Sequence, residues 1–163
     1  MTEAINHNYQ HSSGPMFTIA VPYARLTDAT PTESNPCELT SLLAGTQLGG
    51  TIIGIDAGDS VAIVNVAPCF ILNTEVRNVL TYGGGVEATW GAINVGDLVY
   101  YDNSATMPAG VYLSTSPLDN TGAANSLWGV IACINAEAAA LYPLGGITAS
   151  TQDCQVMQRG SGL

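Results

Sequence analysis

Between residues 51 and 134 apolar side chains come in short runs, each closed by glycine, aspartate, asparagine or proline. Residues 51–56 (TIIGID), 60–66 (SVAIVNV), 98–101 (LVYY), 110–114 (GVYLS) and 128–134 (WGVIACI) are rich in β-branched and aromatic types. Such side chains pack well on a pleated, half-buried surface, so each run predicts a strand. The breaks between them (AGD, APC, YGGG, NVGD, DNS, MPAG, SPLDNTG) carry the residues that tight turns require. Many short strands with such turns predict a mainly β fold, a small β-barrel or a β-tulip or sandwich, with its core over residues 46–147.

The two ends of the chain read differently. Residues 1–45 hold polar clusters and the punctuating residues Gly14, Pro15, Pro22, Pro31 and Pro36 around one apolar stretch, 16–21 (MFTIAV). Proline breaks helices and is unwelcome in central strands, so this segment reads as an extended N-terminal arm with one strand-like piece. Near its end Asn35 and Pro36 resemble a helix start, and 37–44 predicts a short helix stopped by Gly45. The apolar side chains of the arm, Met16, Phe17, Ile19, Val21 and Tyr23, form a strip suited to docking, and an arm distinct from the core predicts that removing residues 1–36 leaves the core folded. Residues 136–142 (EAAALY and the alanine before them) predict a second short helix that Pro143 ends. Residues 148–163 are polar and glycine-ended, the pattern of a mobile C-terminal tail.

One pattern occurs twice. Residues 55–61 (IDAGDSV) and 93–99 (INVGDLV) share I-[DN]-x-G-D-x-V. Glycine supplies positive φ in a tight turn, and the aspartate after it can accept backbone N–H groups. Gly58, Asp59, Gly96 and Asp97 are therefore expected to shape turns at equivalent corners of the fold.

Composition then removes whole classes of function. Of the 163 residues 47% are apolar, enough to build a core, while only 10% are charged, against ~25% in ordinary domains. Thirteen acids face three arginines (Arg25, Arg77, Arg159) and no lysine, a formal charge of −10. Nucleic-acid and anionic-membrane binding both need clustered cations, which three scattered arginines do not supply. The first fifteen residues carry neither a basic nor an apolar signal region, and no apolar run approaches the ~20 residues of a membrane span, so the chain reads as made in a cytoplasm.

Candidate chemistry is sparse. Asp56 with Asp59, or Asp97 with Asp102, are the available carboxylate pairs for acid–base work, but each lies in a turn sequence. Asp102-Asn103 and Asp119-Asn120 lack the ligand spacing of a calcium loop. His7 and His11 stand four apart outside any periodic segment, and Tyr82 precedes a lone glycine run without the lysine of a phosphate loop. Cys37, Cys69, Cys133 and Cys154 show no CxxC pair, and Cys69 and Cys133 lie in apolar runs, which predicts buried free thiols. Tyr100 and Tyr101 are adjacent in a strand and point to opposite faces, so one of them is predicted to be exposed or in an interface. No metal and no cofactor is expected.

Residues 90–103 (WGAINVGDLVYYDN), with a G-D-x-V-Y-aromatic-D corner, followed after a polar loop by 128–132 (WGVIA), resemble the capsid decoration (cement) proteins of tailed bacteriophages. The resemblance spans about residues 50–140. It implies a compact β core, trimers or other small oligomers at capsid symmetry positions, an N-terminal arm that orders on the lattice, and no catalytic residues. The chain departs from it in its long proline-punctuated arm and its lack of lysine. The expectation that follows is a non-enzymatic structural protein, a homotrimer bound to the major capsid protein on the outside of the virion and assembled in the host cytoplasm. An alternative is a carbohydrate- or surface-binding β module using an exposed aromatic such as Tyr101, and a third is a hydrolase with paired aspartates.

Overall fold

A computed structural model describes residues 14–28, 30–40, 47–79, 81–83, 86–89, 93–134 and 151–160, the side chains of 81–83 and 86–89 aside. The fold is mainly β, as the alternation of apolar runs and turns requires. Strands β1 (Thr18–Pro22), β2 (Pro36–Leu39), β3 (Leu48–Asp56) and β4 (Val61–Asn65) form an antiparallel sheet in the order β1-β4-β3-β2. Strands β5 (Ile71–Arg77), β8 (Leu98–Tyr101), β9 (Leu113–Ser114), β10 (Ser126–Ile134) and β11 (Thr151–Gln158) close a barrel in the order β10-β11-β5-β9-β8. Every barrel pairing is antiparallel except β5 with β9. Between them β6 (Thr81–Gly83) and β7 (Val86–Thr89) make a separate two-stranded ribbon.

Two cores follow from the period-two geometry of strands. Leu72, Val76, Val99, Tyr101, Leu113, Ile131, Cys154 and Val156 point into the barrel, while Val21, Ile52, Ala62 and Val64 pack with Leu26, Cys37 and Val66 on the sheet. The two cores meet at Trp128, which is 1% exposed. Its indole N–H donates to the Cys37 carbonyl at 3.2 Å, and its ring covers Gly49, where a Cβ would stand 2.8 Å from Trp128 Cδ1. Glycine is therefore required at that point of β3.

A second tie crosses the same boundary. Gln158, at the end of β11 and 1% exposed, accepts from the Thr51 hydroxyl at 2.8 Å. Its side-chain amide donates to the carbonyls of Asn65 (3.0 Å) and Ala67 (2.6 Å). Each donor and acceptor of this buried amide is thus paired across the sheet and barrel, which is what allows it to be buried.

Three expectations change. The tail predicted over 148–163 contributes β11, which pairs with both β10 and β5 inside the barrel wall. Its inward set is Gln152, Cys154, Val156 and Gln158, so a buried face that is half glutamine disguised a clean alternation. The helix predicted from residue 37 is not formed where it should begin, because residues 36–39 are β2, paired with β3 from Pro36↔Thr51 to Leu39↔Leu48. Two turns of helix cannot repay their nucleation alone, whereas the waiting ladder of β3 satisfies the same backbone groups. Residues 14–40 are not an arm apart from the core, since β1 and β2 are half of the small sheet and Val21, Leu26 and Cys37 lie in its core. Removing 1–36 therefore takes a core strand with it. The helix predicted over 136–142 lies outside the described residues.

Two substitutions probe the tie between the cores. Gly49→Val forces Trp128 off its seat and is expected to cost about 1–3 kcal/mol. Gln158→Leu strands the groups it pairs and is expected to cost about 2–4 kcal/mol. Both are read as lower urea midpoints, and a midpoint unchanged in either variant contradicts the role given to that residue.

Candidate interaction surface

The five arm residues separate into two groups. Val66 N–H donates to the Phe17 carbonyl at 2.8 Å and Tyr23 N–H to the Ser60 carbonyl at 2.9 Å, so the odd-numbered backbone groups of β1 face β4. Val21 is buried, and Ile19 and Tyr23 are half-buried against the core of the sheet. Met16 and Phe17 remain 57% and 66% exposed. They are held there by Asn65, a fully buried side chain whose Oδ1 accepts from Phe17 N–H (3.0 Å) and whose Nδ2 donates to the Pro15 carbonyl (3.4 Å) and Met16 Sδ (3.4 Å). The sequence strip thus yields a core half and a presented half.

The two edges of the small sheet also differ. The outer side of β2 is covered by residues 25–27: Thr27 N–H donates to the Glu38 carbonyl (2.9 Å), Thr40 N–H to the Arg25 carbonyl (2.9 Å), and Leu26 bridges Leu39. Among the described residues the outer side of β1 is open. Thr18, Ala20 and Pro22 direct their backbone groups away from β4, their residues are exposed, and among the described residues no group pairs with them. The barrel, being closed, has no edge of this kind.

The repeated motif builds two different corners. In 93–99 Gly96 takes φ +96°, Asp97 Oδ2 accepts from Asn94 N–H at 2.8 Å, and the corner is clamped to β10 by Gly96 N–H to Ile131 O and Ile131 N–H to Asp97 O, both 2.8 Å. In 55–61 the positive φ belongs to Ser60, not Gly58, and the acceptor is Asp56, whose Oδ1 receives Gly58 and Asp59 N–H at 3.0 and 3.2 Å. Asp59 is exposed in this β3–β4 hairpin. One corner belongs to the barrel and the other to the sheet, so they are not equivalent. Beside Gly96, Val95 and Leu98 are 63% and 48% exposed. Leu98, Val130, Met157 and Ile71 are successive cross-strand partners, an apolar row on the outside of four barrel strands.

Tyr101 does not face outward. It is 3% exposed and stacks on Tyr112 at 6.2 Å between ring centroids, while Tyr100 is half-buried on the opposite face. Burial, followed by the negative groups of Asp28, Cys37 and Glu38, pushes the Tyr101 phenol well above its ordinary range. Of the carboxylates considered as catalysts, Asp56, Asp97 and Asp102 accept backbone N–H groups within their turns, while Asp59 is exposed. Asp102 is fully buried and accepts from Ser104 N–H (3.0 Å) and the Ser114 hydroxyl (3.4 Å). Asp119 gathers the Thr121 hydroxyl and the N–H groups of Thr121 and Ala123 at 2.7–2.9 Å, and these bonds, the Thr121 hydroxyl foremost, hold its carboxyl below the usual range. Among the described residues no three His, Cys, Asp or Glu side chains come together as a metal site. His7 and His11 lie outside those residues, as does the glycine run after residue 83.

All four cysteines are free, with the burial pattern opposite to expectation: Cys37 and Cys154 are buried, Cys69 and Cys133 exposed. Cys69 sits in a turn at φ +64°, and a bulge between Ile131 and Cys133 in the β10–β11 pairing turns Cys133 outward. Burial raises both inner thiols to about 12, with Glu38 adding to the effect at Cys37 and Asp153 at Cys154. A raised thiol favours the folded state fully below the unfolded value near 9, and that contribution is lost as pH climbs toward 12. The urea midpoint is therefore expected to fall between those values, less steeply in Cys37→Ala. A thiol reagent is expected to modify Cys69 and Cys133 in the native chain and Cys37 and Cys154 only in denaturant; native reaction at either buried thiol contradicts the packing described.

Comparison with protein-family models, with curated proteins and with solved structures finds no match to this chain.

Proposed function

We propose that this chain is a structural decoration (cement) protein that binds the outer surface of a tailed-phage head and holds neighbouring major capsid subunits together. The observation that carries the reading is the presented pair Met16 and Phe17, 57% and 66% exposed and fixed by a buried asparagine at the head of an open edge strand. Large apolar side chains exposed on a stretch of backbone that is itself tied to the core are a feature of contact surfaces, because their burial by a partner is favourable and the backbone beneath them is already ordered. The low charge density fits a surface partly covered in an assembly, and the net charge of −10 opposes non-specific clumping and attraction to the genome. The apolar row from Leu98 to Ile71 supports self-association, which we place as a homotrimer on the virion exterior. The role requires no bond-making.

The test is co-sedimentation of the purified full chain with empty phage heads, alongside Met16→Ser/Phe17→Ser. The double variant leaves every core side chain in place, and Asn65 keeps its bonds to Phe17 N–H and the Pro15 carbonyl while losing Met16 Sδ; it is expected to lose at least about tenfold in occupancy, the loss of one well-packed apolar anchor. Equal occupancy of the two proteins, or no sedimentation of either, refutes the proposal. Light scattering of the free chain reads the trimer.

A further inference from the structure

The uncovered side of β1 presents unpaired main-chain donors and acceptors among the described residues. In an antiparallel ladder the N–H and C=O of one residue point the same way, and successive residues alternate. With residues 17 and 23 bonded to β4, the N–H and C=O of Thr18 and Ala20 and the C=O of Pro22 point out of the sheet. Pro22 lacks an N–H and marks where a further ladder would end. Edge strands are normally protected by a charge, a covering loop or a bulge. The opposite edge has its covering loop, residues 25–27, whereas residues 18–22 (TIAVP) contain no charge and pair regularly with β4 from Thr18↔Asn65 to Pro22↔Val61.

The surroundings of this edge state what it fits. At the Met16 end it offers two exposed apolar side chains. At the Pro22 end it adjoins the β3–β4 hairpin, where Asp56 and Asp59 are exposed and Ser60 O is bonded to Tyr23 N–H. The β1 strand of a second copy carries no basic side chain to meet these carboxylates, whereas a lysine- or arginine-bearing strand is drawn to them. We infer that the open edge of β1 accepts an extended, lysine- or arginine-bearing segment of a partner polypeptide as a fifth strand of the small sheet. The inference deepens the docking role proposed above and rests on it, naming the backbone of Thr18 and Ala20 as the contact and a basic, alternately apolar segment as the partner. Main-chain bonds supply the attachment, and the apolar and acidic ends set the direction of the incoming strand.

The experiment uses the full chain and two synthetic octapeptides, one alternating lysine and valine, the other glutamate and valine. Amide hydrogen exchange is followed by NMR at about 1 mM peptide, the range expected for a short strand. The lysine peptide is expected to protect the Thr18 and Ala20 amides, and the glutamate peptide to leave them exchanging freely. Ala20 is exposed, so Ala20→Lys and Ala20→Glu keep the fold; they are expected to weaken and strengthen the lysine peptide by about fivefold each, the scale of one exposed charge pair. Equal protection by both peptides, protection confined to other amides, or the same shift in both variants overturns the inference. Protection of Thr18 and Ala20 that grows with protein concentration and no peptide also overturns it, because the occupant is then a second copy. A chain that binds the lysine peptide at these amides but does not sediment with phage heads loses the capsid role alone.

Discussion

Gln158 places a primary amide where water cannot reach it, and the fold is arranged so that this is tolerable. Its hydrogen bonds run to Thr51 on β3 and to the carbonyls of Asn65 and Ala67 at the end of β4, while its own backbone N–H donates to Phe70 O and its carbonyl accepts from Cys69 N–H. A buried amide with any of these missing would cost more than an apolar side chain there would gain. The bonds can form only when barrel and sheet are both complete and correctly seated. Trp128 on Gly49 imposes the same condition through shape instead of polarity. Together they make one body of two β layers that could otherwise slide or part.

That single body determines which surfaces remain for partners. Closing the barrel removes its edges, and the 25–27 segment covers β2, so among the described residues β1 is left as the open edge of the four-stranded sheet. Asn65 links this edge to the interior: its carbonyl is taken by Gln158 and its side chain fixes Phe17 and Met16. The presented apolar pair is therefore held by the same network that joins the two layers. A docking surface on such a support loses little entropy on binding.

How much of this was legible depends on what each segment's side chains had to do. Residues 51–56, 98–101 and 128–134 carry their strand signal openly because their buried faces are apolar. The Gly96–Asp97 corner was legible for the same local reason, a glycine at positive φ beside a capping carboxylate. Strand β11 was hidden because half its buried face is glutamine, and burial of glutamine makes sense only once its distant partners exist. Strand β2 was hidden because its two central partners, Gly49 and Gly50, have no side chains to announce a pairing. The inward turn of Tyr101 and the outward turn of Cys133 depend on barrel closure and on a bulge, and neither is encoded within a few residues of the side chain concerned.

The order of apolar runs and turn residues by itself determined a mainly β chain of short strands, its low and negative charge, and an apolar strip near residue 16. Those properties are local, since strand propensity, turn chemistry and charge act within a few residues. Tertiary structure decided that residues 18–22, 36–39 and 151–158 are core strands, which of Met16, Phe17, Ile19, Val21 and Tyr23 stay in water, and which sheet edge stays open among the described residues. These outcomes depend on contacts between residues as far apart in the chain as Thr51 and Gln158, or Phe17 and Asn65, and such contacts have no energy until the chain has closed on itself.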